Sequence, residues 1–277
     1  MIPDPYKEEE VAEGVWQISG SHDWGAGVNA VAVVSGRHAV LVDNLYRPGD
    51  ARRLFKRIQG RGIELHALVN THWHTDHTIG NCLFNCPIWA HRTGPKFLKR
   101  FWPKWVGGPR DKRAGGLRLK LPDHVLDRRV SLDLDGVEVQ LIHVPGHTPD
   151  SIGVFLPDRQ IFIAGDTVMD LPFVLFGDSL EEIRSLRRIQ RLRPRMILQG
   201  HGPPCKVTRL AGDIRYLQRV REGAREARRT RLSREKFMET PLERFLPFRR
   251  CRALLKGYRE AHRENLWKIW NEMSSAR

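Results

Sequence analysis

Residues 71–81, THWHTDHTIGN, carry His72, His74, Asp76 and His77 in quick succession. The apolar stretch Leu65 to Asn70 ahead of them, with Ala67, Leu68 and Val69 at its centre, predicts a strand. On an extended chain, residues at i and i+2 point the same way, so His72 and His74 can aim at one point as the strand ends. Asp76 and His77 can then turn back towards that point. Neutral imidazole and carboxylate are the ligand types that suit zinc and its neighbours. A solvated polar loop is the other reading of the stretch, but such a loop has no use for this density of ligand atoms. Three later residues repeat the placement. His147 sits on a Pro145-Gly146 turn after an apolar run, Asp166 follows Gly165, and His201 lies between Gly200 and Gly202. A lone histidine after a strand is more often structural than a ligand. Three such strand ends together with the first cluster point to a metal site assembled at one edge of a layered sheet.

The elements that must position these residues can be read from hydrophobic periodicity. Strands are predicted at Val15–Ile18, Val28–Val34 and Ala39–Val42, the last closed by Asp43, and a helix at 48–60 with Leu54 and Ile58 on one face. Further strands are expected at Ile88–Ala90, Val130–Asp133 and Val137–Val144. Ile152–Leu156 and Ile161–Ala164 read as a hairpin about Pro157-Asp158, and Met196–Leu198 as a strand running into His201. Ser179 is expected to start a helix with Glu182 in a capping box. Its buried stripe would be Leu180, Ile183, Leu186 and Ile189. From residue 207 the pattern is helical and basic, with Ile214, Leu217, Phe237, Leu242, Phe245, Leu254, Leu255, Trp267 and Trp270 to dock it.

Residues 92–122 stand apart. Ten Lys or Arg face a single acid, Asp111, and are interleaved with Phe97, Phe101, Trp102 and Trp105. The stretch reads as a partly helical insertion, either a lid that touches substrate or a solvated basic surface.

At 277 residues the chain can form one large domain, or one domain with an appendage. The first twenty residues have neither a basic start nor an apolar run, and no apolar stretch is long enough to span a bilayer. The expectation is therefore a cytoplasmic protein with no membrane partner. Cys82, Cys86, Cys205 and Cys251 imply no disulfide framework, and Cys82 and Cys86, lacking a second pair for zinc, read as buried thiols. The net charge of +15 admits nucleic acid, anionic surfaces or anionic substrates without choosing among them.

THWHTDH, then His147 in VPGHTPDSI, Asp166 in IAGDT and His201 in LQGHGPP, in that order, resemble the metallo-β-lactamase-fold hydrolases over roughly residues 10–205. The resemblance implies an α/β (α+β) fold, a four-layered αββα sandwich of two similar halves. Residues 1–206 would form the catalytic domain, with the basic insertion at about 92–122, and 207–277 a C-terminal helical extension packed on it. By the same resemblance His72, His74 and His147 hold a first metal, Asp76, His77 and His201 a second, and Asp166 bridges them. Asp43, in VDN, would support the ligand loop. Two zinc ions are the expected cofactors, with iron or manganese as alternatives at the same ligands.

Such a pair, about 3.5–4 Å apart, lowers the pKa of a shared water, and Asp76 becomes both ligand and catalytic proton shuttle. The expected function is hydrolysis of a small carboxylic ester, thioester or lactone. A phosphodiesterase or nuclease on the same fold is the alternative, so nucleic acid is the less favoured partner beside a small-molecule substrate. Behind these come β-lactamase activity and a mononuclear iron persulfide dioxygenase. The subfamily signals are Asp166, where antibiotic-hydrolysing members commonly carry Cys or Ser, and Met169, where acyl-homoserine lactonases carry Tyr. The loops expected to set specificity are 21–27, 92–122 and 168–178.

Overall fold

The computed structural model of the protein describes residues 6–21, 27–106, 114–246 and 256–275. His22, Asp23 and Trp24 of the first loop, and Leu254 and Leu255 of the helical tail, lie outside the described residues. Seven strands form one sheet in chain order: β1 (Lys7–Ala12), β2 (Val15–Gly20), β3 (Val28–Ser35), β4 (His38–Val42), β5 (Glu64–Val69), β6 (Ile88–His91) and β7 (His124–Leu126). Strands β1 to β4 are antiparallel neighbours, and β4 to β7 run parallel. The second sheet has five strands: β8 (Arg129–Leu134), β9 (Val137–His143), β10 (Ile152–Leu156), β11 (Ile161–Gly165) and β12 (Met196–Gln199). Here β8 to β11 are antiparallel and β12 pairs parallel with β11.

Side-chain alternation sorts these strands into layers. Val40 and Val42 of β4 face the second sheet, while Leu41 between them faces outward. Ile161 and Ile163 of β11 point into the same central core, and Phe162 and Ala164 point the other way. A strand buried on both faces reads as an unbroken apolar run, which is what β4, β10 and β11 show. Helix α1 (Pro48–Gly60) covers the outer face of the first sheet with Leu54 and Ile58. The outer face of the second sheet is covered by α4 (Ser179–Leu192), α5 (Leu210–Arg229) and α7 (Lys256–Ser275). The result is the αββα sandwich. Helices α2 (Thr75–Thr78), α3 (Gly94–Trp105) and α6 (Arg234–Met238) complete the set among the described residues.

One strand goes unmarked in the sequence, and two expectations need correction. Strand β1, KEEEVA, carries no alternating apolar pattern, because it is an edge strand whose charged side chains remain largely in solvent. The cap of α4 is Asp178, whose side chain accepts from the backbone N–H of Leu180 (2.8 Å) and Glu181 (2.9 Å). Ser179 instead donates its hydroxyl to Glu272 on α7, and Glu182 is buried in the helix with neither carboxylate oxygen hydrogen-bonded, so no capping box forms. Leu180 is 38% exposed and lies off the buried stripe, which keeps Ile183, Leu186 and Ile189.

The described part of the basic insertion is more than a solvated loop. Leu98 and Trp102 of α3 bury one helix face against Trp73 and Ile79 of the ligand stretch, while Lys96, Lys99, Arg100 and Lys104 stay exposed. Val106, Ala114 and Leu117 join that cluster.

Candidate metal centre

The histidine stretch begins where β5 ends, and a net of buried amides fixes its two ends. Asn81 Oδ1 accepts from Asn44 (2.7 Å) and Asn70 (3.0 Å), and the Asn81 amide donates back to Asn70 Oδ1 (2.8 Å). Asn44 Oδ1 takes the Gly80 N–H at 2.6 Å. Asp43 follows β4 in the left-handed backbone region, at φ 59°, where Asp is better tolerated than most side chains. That turn points its carboxylate at Thr71 N (2.8 Å), Thr71 Oγ1 (2.7 Å) and His77 Nδ1 (2.8 Å).

The outer hydrogen bonds fix the histidine tautomers. Thr71 gives its hydroxyl proton to Asp43, so its oxygen accepts from His72 Nδ1–H at 3.0 Å. His147 Nδ1–H donates to the Phe173 carbonyl (2.7 Å) and His201 Nδ1–H to the Gly27 carbonyl (2.6 Å). In His72, His77, His147 and His201 this turns the Nε2 lone pair inward. His74 presents its other edge, with Nδ1 3.1 Å from His147 Nε2.

All seven residues expected from the sequence come together. His72, His74, His147 and Asp166 form one group and Asp76, His77, Asp166 and His201 a second, the ligand atoms within 4.8 Å of one another. Asp166 belongs to both. Its Oδ2 lies 3.5 Å from His147 Nε2 and 3.4 Å from His201 Nε2, and its Oδ1 lies 3.4 Å from His77 Nε2. Asp76 Oδ2 is 3.4 Å from His77 Nε2 and 3.3 Å from His201 Nε2.

The residues fit metal ions. His72 Nε2, His77 Nε2 and Asp166 Oδ1 are buried with no hydrogen-bond partner among the described residues. An orphaned buried polar atom costs about 1–3 kcal/mol, and these three, divided between the two ligand groups that share Asp166, call for cations among them. Burial holds His72 well below the usual imidazole range, and burial with the neighbouring His147 lowers His74 to about 3. His147 is lowered as well, again chiefly by burial. These three are neutral, which is the form that binds metal. Burial opposes charge on His77 and His201 too, yet the facing carboxylates of Asp166 and Asp76 outweigh it, raising His77 strongly and His201 to about 10. In that half of the site a cation would take the place of a proton.

Glycines set the close approach of the strand ends. A Cβ on Gly200 would lie 2.0 Å from Asp166 Oδ1 and 3.1 Å from His77 Cε1. Gly200→Ala is therefore expected to displace Asp166 and lower bound metal while the circular dichroism spectrum stays native. Removal of the Asp43 carboxylate should act from the other side. Asp43→Ala leaves His77 Nδ1 and Thr71 N without their acceptor, and loss of such outer-shell partners weakens metal affinity about 10–100-fold. Titration with a chelator reads this directly.

Above the ligands lies a chamber of about 370 Å³, open to solvent. Asp76 and His74 face it, and its walls include Trp73, Trp105, Phe173, Leu175, Phe176 and Glu264. Phe173 to Phe176 and Trp105 fall in two of the loops expected to set specificity. Glu264 comes from α7, and nothing in the sequence marked it.

A sequence profile described as the metallo-beta-lactamase superfamily matches residues 23–201. The chain is 28% identical over 203 residues to a beta-lactamase-like protein 2 homolog of Caenorhabditis elegans, covering 70% of this chain and 63% of that one. It is 31% identical over 185 residues to the hydroxyacylglutathione hydrolase GloC of Haemophilus influenzae, covering 60% of this chain and 81% of that one. A third relative is an atrochrysone carboxyl ACP thioesterase of Aspergillus fumigatus, 26% identical, with 70% of this chain and 42% of that one covered. The chain thus spans less than two thirds of the nematode and fungal relatives. Among solved structures, a metallo-beta-lactamase from Pontibacter korlensis superposes with a TM-score of 0.65 at 19% identity, over 77% of this chain and 99% of that one. That likeness concerns the fold.

Proposed function

Since the chain belongs to the metallo-β-lactamase superfamily, we propose that it is a metal-dependent hydrolase of a carboxylic thioester, ester or lactone, with a dinuclear centre. One observation carries the reading: two four-residue ligand groups share Asp166 beneath a largely apolar chamber. His72, His74 and His147 would hold one ion, Asp76, His77 and His201 the other, with Asp166 common to both. Imidazole and carboxylate donors suit zinc, and iron or manganese as alternatives. Bound there, the metal pair would supply a water acidic enough to ionise near neutrality and an electrophile for the carbonyl oxygen.

The chain's own residues do the rest. The chamber orients the acyl group and limits water around it. Asp76, with a side chain 17% exposed, is the most accessible of the ligating carboxylates and can hand a proton to the leaving group. The water oxygen bonds to the acyl carbon, the bond from that carbon to sulfur or oxygen breaks, and the thiol or alcohol departs with the proton, leaving a carboxylate. The names of the bacterial and fungal relatives, a hydroxyacylglutathione hydrolase and a thioesterase, support this reaction class.

The positive charge does not favour a nuclease. Lys96, Lys99, Arg100 and Lys104 project outward from α3, and no Lys or Arg is among the described residues that line the chamber. We take residues 1–206 as the catalytic unit and 207–277 as an extension; α5 and α7 share one apolar cluster with α4. No described helix is long and apolar enough to cross a membrane. A panel of thioesters, lactones, β-lactams and bis(p-nitrophenyl) phosphate, tested on the metal-loaded protein, decides the matter. Acyl substrates should turn over first, and turnover of the phosphodiester alone would overturn the reading.

A further inference from the structure

The chamber walls are more specific than a generic apolar cleft. Phe176 is held edge-on by four rings: Trp73 at 5.6 Å, His74 at 5.3 Å, Trp105 at 6.2 Å and Phe173 at 6.4 Å, all with interplanar angles near perpendicular. Trp73 is itself stacked on Phe101 of α3 at 4.4 Å. Edge-to-face contacts of this kind lock rings in place, so the wall is formed before substrate arrives. Trp105, at the end of α3, keeps 44% of its surface open to solvent. A second ring inserted there would bury apolar area on both partners.

The side on which these rings lie assigns the wall to one half of the substrate. Trp73 and Phe176 contact His74, at 4.3 and 5.3 Å, and Phe173 contacts His147 at 5.9 Å. Both histidines belong to the first ligand group, whereas Asp76 belongs to the second. A leaving group that takes its proton from Asp76 departs over the second group, which leaves the aromatic wall to the acyl half. Charge narrows the choice further. Apart from the ligand histidines, the charged side chains that line the chamber among the described residues are carboxylates, Asp76, Asp166 and Glu264. The first two are themselves members of the ligand groups, and Glu264 reaches the chamber from α7.

We propose, resting on the acyl-hydrolase reading above, that the chamber selects a flat, uncharged aromatic or fused-ring acyl group. Glu264 is its specificity residue, disfavouring acyl groups that carry a negative charge. The same carboxylate would help expel the acid product once hydrolysis has made it anionic.

The test uses N-acetylcysteamine thioesters of acetate, benzoate, 2-naphthoate and 4-carboxybenzoate on the full-length, metal-loaded protein. Each kcat/KM is divided by the hydroxide-catalysed rate of the same ester, which removes intrinsic reactivity. The corrected value is expected to rise about tenfold or more from acetyl to naphthoyl, the scale on which pockets discriminate apolar groups. Trp105→Ala should remove most of that gain without changing metal content. Glu264→Gln should lower the ratio of benzoyl to 4-carboxybenzoyl kcat/KM by about tenfold. A corrected profile flat from acetyl to naphthoyl, or a ratio unmoved by Glu264→Gln, would overturn this proposal while leaving acyl hydrolysis standing. Failure to cleave any of the four thioesters would overturn this proposal, and failure on the lactones and esters as well would overturn both readings.

Discussion

Asparagine at position 166 is expected to strip metal from the site and lower kcat by about three orders of magnitude or more, with the fold intact. The Asp166 side chain is 4% exposed, and its two oxygens serve histidines of both ligand groups. A carboxylate can bridge two cations and place one negative charge between them. The asparagine amide keeps the size, loses the charge and turns an N–H₂ towards one ion. A thousandfold loss corresponds to about 4 kcal/mol of transition-state stabilisation, a modest share of the interaction of one buried charge with two divalent ions. Metal analysis and single-turnover kinetics on Asp166→Asn read the two effects separately. A variant that kept both metals and near-full turnover would show that Asp166 does not bridge.

Loss of the Asp76 carboxylate should be nearly as severe, but selective in a way that a simple ligand would not be. General acid catalysis is worth about 10²–10⁴-fold, and its value grows as the leaving group becomes more basic. Asp76→Asn is therefore expected to cut turnover of an alkyl ester or lactone far more than that of a p-nitrophenyl ester, which departs without a proton. The slope of log kcat/KM against leaving-group pKa should steepen. Parallel losses across the series would reduce Asp76 to a metal ligand.

Much of this site could be read from the chain because its residues stand at the ends of strands. An apolar run such as Ile161–Ala164 announces both the strand and the place where it stops, and Asp166 follows two residues on. Where sequence reading failed, the deciding contact was long-range or the pattern was absent. Asp178 and Ser179 are both good capping residues, and only the contact from Ser179 to Glu272 on α7, far along the chain, leaves the cap to Asp178. Strand β1 lies at a sheet edge, so selection for charge replaces the alternation by which strands are recognised. The aromatic wall has no period at all. Trp73 hides inside the ligand motif, Phe173 and Phe176 lie in a loop, and Glu264 is one of many charged residues on an amphipathic helix. Periodicity says which face of α7 is buried, but not that the chamber opens beside it. The high positive charge chose no partner in the sequence, because charge alone carries no position; the described basic residues of α3 face solvent, and acids line the chamber.

The central claim is a dinuclear centre whose two ions depend on different histidines. Metal content per chain, measured by inductively coupled plasma mass spectrometry after loading with excess zinc and desalting, tests it most directly. The protein should retain two ions, and His147→Ala and His201→Ala about one each, from opposite halves of the site. A native protein that saturates at one ion, with His201→Ala still holding that ion as tightly as before, would contradict it.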